Sequence, residues 1–457
     1  MKRMTFILML AFLLALPIPL YARGSDDLPG RDAPEYTRLL DIKKGMQSYK
    51  SEEFLGLLGM AFGEEGADLL KAIEDACGCN NWEQNILRAT EYDGNVYIKT
   101  VMDYVPVEED ESLSMLLADW KPCSPKIIKG FNRDNILALY DFGNPKGAFD
   151  VLMKWFTDTD ALENIIESMP GEEEKAFIEI FVKQMQMLAK GYWYDAKDDY
   201  YPLIGDEIVL AVYPNEDYVG WDDIWSAEST EEYMMARIIL AVQTSKPGLA
   251  DVITDTAEEC IDLFSAMHAF DYSGEDYEKP EVLTTEGDGY AIHYIDIEGA
   301  FQIAWCEYGG AMFLSDLDTL QDLPEFFDKA LPYKMDVKKF NEYMYLNADG
   351  LVDIFYEPAT WFFEDMFWSM DAPEDEEFTA KLDEMNTMLL SGELGEIEIV
   401  EVISGHTCEI NMKAGRVSAD LMLEGIDLFK YAGGKSAMED ALMEYFGFYG
   451  GSGGGGG

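Results

Sequence analysis

Basic residues are scarce in this sequence. It contains 33 lysines and arginines against 89 aspartates and glutamates, which gives a formal net charge of −56. Nucleic acids and anionic membrane surfaces attract basic protein surfaces, so we expect neither as a partner. Apolar residues still make up 48% of the chain, enough for a large core. The charge suits a solvated surface, a high-salt habitat, a basic partner, or divalent cations bound at the acidic surface.

Histidine is scarce as well, with three residues: His268, His293 and His406. Most acid–base and metal chemistry therefore lacks its usual side chain. The chain also has no nucleophile elbow, zinc-protease helix motif, P-loop or dinucleotide fingerprint. We predict a protein that is not an enzyme, without catalytic residues or cofactor. His406 and Cys408 would share one face of a predicted strand, but a half-buried strand explains that spacing better than a metal site.

Long apolar runs are missing beyond the first residues of the chain. Lys2 and Arg3 precede the apolar run Met4–Leu20, and Ala22 supplies a small residue for cleavage. This order predicts a secretory signal peptide over residues 1–22. An uncleaved anchor is the alternative, but the run is short for a span of about 20 residues. We expect an extracytoplasmic protein, periplasmic or secreted, without a membrane span after cleavage.

The cysteines are even in number. They are Cys77, Cys79, Cys123, Cys260, Cys306 and Cys408. In an exported chain an even count permits three disulfides, with fifteen possible connectivities. Cys77 and Cys79 are too close to pair comfortably with each other, and Cys123 is the nearest candidate partner. Cys260 on a predicted helix and Cys306 on a predicted strand could bridge helix and sheet. A metal site and buried free thiols are the alternatives.

One phrase occurs twice in the chain. Residues 136–154 read "ILALYDFGNPKGAFDVLMK" and residues 238–256 read "IILAVQTSKPGLADVITDT". Each is an apolar run, a turn with Pro and Gly, and a helix pattern. A weaker version, again interpreted as strand, turn and helix, covers residues 347–370. The pattern predicts repeated strand-turn-helix units.

Other segments predict antiparallel strands. Asp93-Gly94 between β-forming residues indicates a hairpin, residues 287–316 a meander, and residues 395–425 two or three strands. We therefore expect an α+β fold with mostly antiparallel sheets and helices packed on one face. The predicted regions are a signal peptide (1–22), N-terminal helices plus a β-hairpin (23–130), a first α+β lobe (131–335), a second α+β lobe (336–449) and a Gly-rich flexible tail (450–457).

The order of these segments resembles a known class. Over residues 116–331, "IGDE" at residues 204–207 opens a strand, and a strand-helix unit and a meander follow. This arrangement resembles the DUF3352-type bacterial exported proteins of unknown function. The resemblance implies an extracytoplasmic location and an α+β repeat fold. It implies no activity and no site residues.

Aromatic and acidic residues are mixed in "GYWYDAKDDYY" at residues 191–201. Such a mixture could stack on sugar rings, form a protein interface, or pack over the core. The candidate ligand-binding residues are Trp193, Tyr194, Tyr200, Tyr201, Trp221 and Trp225.

The stretch "NADGLVDIFYE" faintly resembles a calcium loop. Asn347, Asp349 and Gly350 fit it, but Tyr345 and Tyr356 stand where carboxylates are needed. We interpret it as a turn leading into a strand.

Three functional hypotheses follow. The first is an exported, non-enzymatic binding or scaffold module of the cell envelope, with an unknown protein or glycan partner. The second is a carboxylate-based enzyme or binder acting on envelope carbohydrate, which a pocket flanked by two carboxylates with displaced pKa values would favour. The third is a calcium-dependent module.

Overall fold

The computed structural model describes residues 30–41, 66–107, 110–169, 172–218, 234–271, 279–297, 301–328, 337–356 and 376–431. In these ranges the protein is mixed α+β, with a 13-stranded antiparallel sheet at its centre. The fold class and the antiparallel pairing predicted from the sequence are confirmed. The predicted signal peptide, the Gly-rich tail, Trp221 and Trp225 lie outside the described residues.

Every neighbouring pair of strands in the sheet is antiparallel. The strands are β1 (Arg31–Asp32), β2 (Trp82–Tyr92), β3 (Asn95–Tyr104), β4 (Ala138–Gly143), β5 (Ile204–Pro214), β6 (Ala236–Thr244), β7 (Val282–Glu286), β8 (Ala291–Ile297), β9 (Phe301–Tyr308), β10 (Ala311–Ser315), β11 (Glu342–Asn347), β12 (Glu396–Ser404) and β13 (Thr407–Gly415). Their order across the sheet is β1-β2-β3-β13-β12-β11-β4-β5-β6-β10-β9-β8-β7.

Helices connect these strands and differ widely in length. They are α1 (Gly66–Cys77), α2 (Leu113–Leu116), α3 (Pro145–Asp158), α4 (Ala161–Glu167), α5 (Glu172–Asp199), α6 (Leu249–Asp271), α7 (Leu317–Gln321), α8 (Leu323–Phe326), α9 (348–356), α10 (Glu376–Leu389) and α11 (Arg416–Tyr431). A 3₁₀ helix covers Pro34–Leu39. Of the helices described, none combines the length and apolar character needed to cross a membrane.

The sheet joins the three predicted regions 23–130, 131–335 and 336–449. The hairpin β2–β3 turns at Asp93 and Gly94, whose φ values of 51° and 73° suit a turn that follows the strand twist. Strand β3 then pairs with β13, and β4 pairs with β11. Strands from residues 23–130, 131–335 and 336–449 therefore hydrogen-bond to one another in one sheet.

Both copies of the repeated phrase form a strand, a turn and a helix. In the first, β4 leads to Asn144, which adopts a φ of 50° and accepts a hydrogen bond from Gly147 N at 3.1 Å. Pro145 is the first residue of α3, where its missing N–H costs nothing. In the second copy β6 leads to α6, which begins at Leu249 directly after Gly248, whose φ is 114°. That the two are copies of one structural unit stays a prediction.

The third phrase differs from our expectation. Helix α9 begins directly after β11, so the strand predicted after "NADG" is wrong. Asn347 caps this helix by accepting a hydrogen bond from Gly350 N at 3.1 Å, a role that Asn suits well. Similarly, residues 416–425, which could have been a third strand, begin α11, so the hairpin β12–β13 has two strands.

Helix α6 packs on one face of the sheet. Trp305 and Glu307 alternate with Cys306 on β9, so they point to the same face. Trp305 Nε1 donates a hydrogen bond to Thr254 Oγ1 of α6 at 3.0 Å. The Glu307 carboxylate accepts one from Leu249 N at 2.9 Å, at the positive end of the helix dipole. This helix follows the predicted arrangement.

The opposite face is covered by loops and short helices. There Phe313 of β10 packs against Phe327, with ring centroids 4.9 Å apart, and Phe327 packs against Phe131 at 5.3 Å. Tyr290 donates a hydrogen bond to the carbonyl oxygen of Leu320 in α7 at 2.7 Å. The expectation that helices pack on one face therefore does not extend to α7.

The two faces of the sheet also separate two of the cysteines, Cys260 and Cys306. Cys306 is buried on the face of Phe313, its partner across the strands, while α6 lies on the other face. Cys260 is exposed on α6, and the two are not bonded. The predicted bridge between helix and sheet is therefore not formed. Cys123 and Cys408 are buried free thiols, and the Cys79 side chain lies outside the described part of the chain.

Candidate partner-binding surface

Part of the predicted aromatic patch is internal. Trp193 on α5 is 8% exposed, and its Nε1 donates a hydrogen bond to Asp150 Oδ1 of α3 at 2.8 Å. The Tyr201 hydroxyl donates to the same oxygen at 2.8 Å. Lys197 Nζ lies 3.9 Å from the centroid of the Trp193 ring. These contacts fix α5 to α3 and leave little of the Trp193 ring for a ligand.

The other two described candidates, Tyr200 and Tyr194, lie in different surroundings. Tyr200 shares a hydrogen bond with Thr256 of α6 at 3.1 Å and packs against a small apolar cluster under that helix. The Tyr194 ring stacks on Trp193 at 6.1 Å and is 58% exposed. The structure brings Trp193, Tyr194 and Tyr201 together, but of the four described candidates only Tyr194 is exposed.

A larger apolar surface runs along α5. We call the following residues the α5 apolar surface: Phe177, Ile180, Phe181, Met185, Met187, Leu188, Tyr192 and Tyr194. Their side chains are between 41% and 73% exposed. With 3.6 residues per turn, these positions cover about half of the helix circumference and continue over most of its length. Helix α3 adds exposed Phe149 and Leu152.

The other side of α5 binds the body of the protein through charges. Lys183 Nζ lies 3.1 Å from Glu163 of α4. Lys197 Nζ lies 3.2 Å from Asp150 of α3, and Lys190 pairs with Asp158 of the same helix. These lysines are therefore engaged by acids of neighbouring helices. The amphipathic pattern of α5 is thus reversed, with ion pairs facing the protein and apolar side chains facing solvent.

Acidic residues lie inside the sheet. Glu207 of β5 is fully buried, and its carboxylate accepts hydrogen bonds from Lys126 N at 2.7 and 2.8 Å and from Ile127 N at 2.9 Å. Asp141 of β4 is 0% exposed and hydrogen-bonds to Glu207. Burial and the neighbouring charge hold the pKa of Asp141 well above its usual range. Burial raises the pKa of Glu207 as well, and the hydrogen bonds from the backbone amides of Lys126 and Ile127 oppose that rise.

A second acid pair lies across β11 and β12. Glu342 and Glu401 stand directly opposite each other, and burial raises the pKa of both. Tyr140 hydrogen-bonds to Glu342, and the Cys408 thiol hydrogen-bonds to Glu401. Glu401 is buried. Like charges directly opposite on neighbouring strands repel, which disfavours ionisation of both carboxyl groups at once.

These displaced pKa values do not mark an accessible site. Asp141, Glu207 and Glu401 are all buried, so a sugar cannot reach their carboxyl groups. A small depression of about 20 Å³ is lined by Asn215, Arg237 and residues of α7, away from both acid pairs. That volume holds roughly one water molecule.

Metal ligands do not converge in the part of the chain that the structure describes, where no three His, Cys, Asp or Glu side chains are grouped for a metal ion. His406 is exposed in the β12–β13 turn, while Cys408 is buried. Asp349 of the predicted calcium-like loop accepts hydrogen bonds from Leu394 N at 3.0 Å and Gly395 N at 2.8 Å. Its carboxylate joins α9 to the loop before β12.

No protein-family model, curated protein or solved structure matches this chain. The sequence predicted an aromatic patch at the end of α5, but the apolar surface along this helix was missed. The signal was present, because apolar residues in "AFIEIFVKQMQML" occupy more than the single stripe that a packed amphipathic helix needs.

Proposed function

We propose that this protein is an exported, non-enzymatic binding module of the cell envelope, and that a protein partner docks on the α5 apolar surface. The observation that carries the proposal is the run of eight large apolar side chains exposed along one 28-residue helix. Single exposed apolar residues are ordinary, but a contiguous apolar patch marks an interaction surface.

The energetics support a partner of substantial size. Burying a large apolar side chain contributes about 1.5–3 kcal/mol, so covering several of these residues supplies the gain that association requires. Met185 and Met187 add adaptable side chains that fit more than one shape. A protein partner is favoured over a glycan because the Trp193 ring, the best platform for a sugar, is covered by Lys197 and Tyr194.

We propose that the two strand-turn-helix phrases are repeated units of a DUF3352-type exported protein. Their shared order of strand, turn and helix, with β4 leading to α3 and β6 leading to α6, supports this. The N-terminal sequence pattern supports export.

The test compares three substitutions on the α5 apolar surface with three at exposed acids of α6. The variant Phe177→Gln, Phe181→Gln, Leu188→Gln removes apolar side chains and keeps good helix formers. We expect it to lose most of the fluorescence of bound anilinonaphthalene sulfonate, with a melting temperature within about 2 °C of the parent. The control Asp255→Asn, Glu258→Gln, Glu259→Gln changes exposed acids of α6 and should keep the fluorescence.

The opposite result is equally clear. If the triple glutamine variant melts more than about 10 °C lower, these side chains stabilise the fold and the surface is not free for a partner. If it keeps the full fluorescence, the apolar probe binds elsewhere. Either outcome overturns the proposal.

A further inference from the structure

The charges of α5 restrict what can dock on it. The helix contains seven acidic residues and four lysines. Lys183, Lys190 and Lys197 are engaged by acids of α3 and α4 on the side that faces the protein. These three positive charges are therefore neutralised and turned away from the α5 apolar surface.

The solvent side of the helix carries acids. Asp195 is exposed and follows Phe177 by 18 residues, which is five turns, so the two share one side of the helix. Asp198 and Asp199 are exposed in the last turn. Approaching molecules therefore meet an apolar surface with exposed carboxylates at one end, on a chain with a net charge of −56.

We infer that the partner presents a cationic amphipathic helix. This inference rests on the proposed function and adds the chemistry of the partner. A long apolar helix face accepts the apolar side of another amphipathic helix, and lysines or arginines beside that side would meet Asp195, Asp198 and Asp199. Charge complementarity also speeds the encounter and selects against acidic partners.

The same charges argue against other occupants. A second copy of this chain carries the same net charge of −56, so two copies repel each other at low ionic strength. An anionic bilayer repels it for the same reason. A cationic helix is the occupant that both the apolar and the electrostatic features favour.

The test uses fluorescent helical peptides of about 18 residues that share one leucine face and differ on the polar face, with lysine, glutamine or glutamate. A scrambled lysine peptide without an apolar face controls for unspecific attraction. We expect the amphipathic lysine peptide to bind at least about tenfold more tightly than the glutamine peptide at about 50 mM salt. The difference should shrink as salt screens the charges.

Two variants locate the binding. Phe177→Gln, Phe181→Gln, Leu188→Gln should weaken the lysine peptide at least about tenfold. Asp195→Asn, Asp198→Asn, Asp199→Asn should weaken the lysine peptide several-fold and leave the glutamine peptide unchanged. Equal binding of lysine and glutamine peptides, lost in the first variant, would overturn the cationic partner while the docking surface stands.

Other outcomes also overturn the inference. Equal binding of the scrambled peptide would show unspecific attraction to the acidic chain. A dimer in sedimentation that the triple glutamine variant abolishes would identify a second copy as the occupant. Tight binding to neutral phosphatidylcholine vesicles without binding of the lysine peptide would identify a membrane. Absence of binding by every peptide would reject a helical partner, while the fluorescence test of the surface itself is decided separately.

Discussion

The centre of the sheet and helix α5 reverse the usual placement of side chains. Asp141 and Glu207 are 0% exposed, whereas Phe177 is 72% exposed. The buried acids have internal explanations, because Glu207 binds two backbone amides and Asp141 hydrogen-bonds to it. The described part of the chain leaves the apolar side chains of α5 open to solvent. The buried acids therefore have hydrogen-bond partners inside the fold, whereas the exposed apolar side chains of α5 indicate a partner outside the molecule.

The largest effect is expected at the buried acids. Glu207→Leu removes the acceptor of the Lys126 and Ile127 amides and leaves them buried without it. We expect a loss of about 3–5 kcal/mol in the free energy of unfolding, measured in urea. The adjacent Asp206→Asn, which removes a half-exposed ion pair with Lys126, should cost about 0–1 kcal/mol. Equal losses in the two variants would contradict a structural role for the buried carboxylate.

Substitutions on the two sides of α5 should differ almost as much in their effect on the free energy of unfolding. Trp193→Ala removes a buried ring bonded to Asp150, and we expect a loss of about 3–5 kcal/mol. Phe177→Ala, on the α5 apolar surface, should change the free energy of unfolding by about 0.5 kcal/mol or less. Urea titration of the two variants measures both. A loss above about 2 kcal/mol at Phe177 would show that this ring is packed in the folded protein.

The second acid pair should make stability depend on pH. Burial raises the pKa of Glu401 in the folded state. Its contribution to the free energy of unfolding is therefore fully present below the unfolded-state pKa of about 4.3, and it is lost as the pH rises towards the folded-state pKa. The parent should therefore lose stability with rising pH above that point. Glu401→Gln should reduce this loss by as much as about 1.4 kcal/mol per pH unit and be the more stable form in alkali. If the free energy of unfolding falls with pH equally steeply in the parent and in the variant, this prediction is wrong.

The smallest effect concerns thiol reactivity. Cys260 is exposed on α6, whereas burial raises the pKa of Cys306 to about 12. Native alkylation followed by mass spectrometry should label Cys260 readily and Cys306 only after unfolding, because the thiolate is the reactive form. Serine in place of Cys260 should leave stability within about 0.5 kcal/mol. A disulfide-linked pair of peptides that contain Cys260 and Cys306 would contradict this prediction and support the disulfide expected from the sequence.

Local signals carried most of the correct predictions. Asp93-Gly94 gave the hairpin, and the Pro turn at residue 145 gave the start of α3, because such turns depend on a few adjacent residues. The strand expected after Asn347 was wrong because the short apolar run there fits a strand or a helix, and a capping hydrogen bond favours the helix.

Long-range features could not be predicted in the same way. Glu207 meets the amides of Lys126 and Ile127, some 80 residues earlier in the chain. Strand β13 enters the sheet between β3 and β12, which no local pattern indicates. Asp141 and Glu401 stand within the apolar runs "ALYDFG" and "EIVEVIS", but neither run indicates which residues surround the carboxyl group. The exposure of α5 likewise depends on which surfaces the rest of the chain covers.

Methionine oxidation tests the central claim most directly. Met187 on α5 is 69% exposed, whereas Met412 of β13 and Met422 of α11 are 5% and 6% exposed. In dilute peroxide, followed by mass spectrometry of the native protein, Met187 should oxidise many times faster than Met412 and Met422. The amphipathic lysine peptide should then protect Met187 and leave the two buried residues unchanged. Oxidation of Met187 as slow as that of Met412 would contradict an open apolar surface on α5.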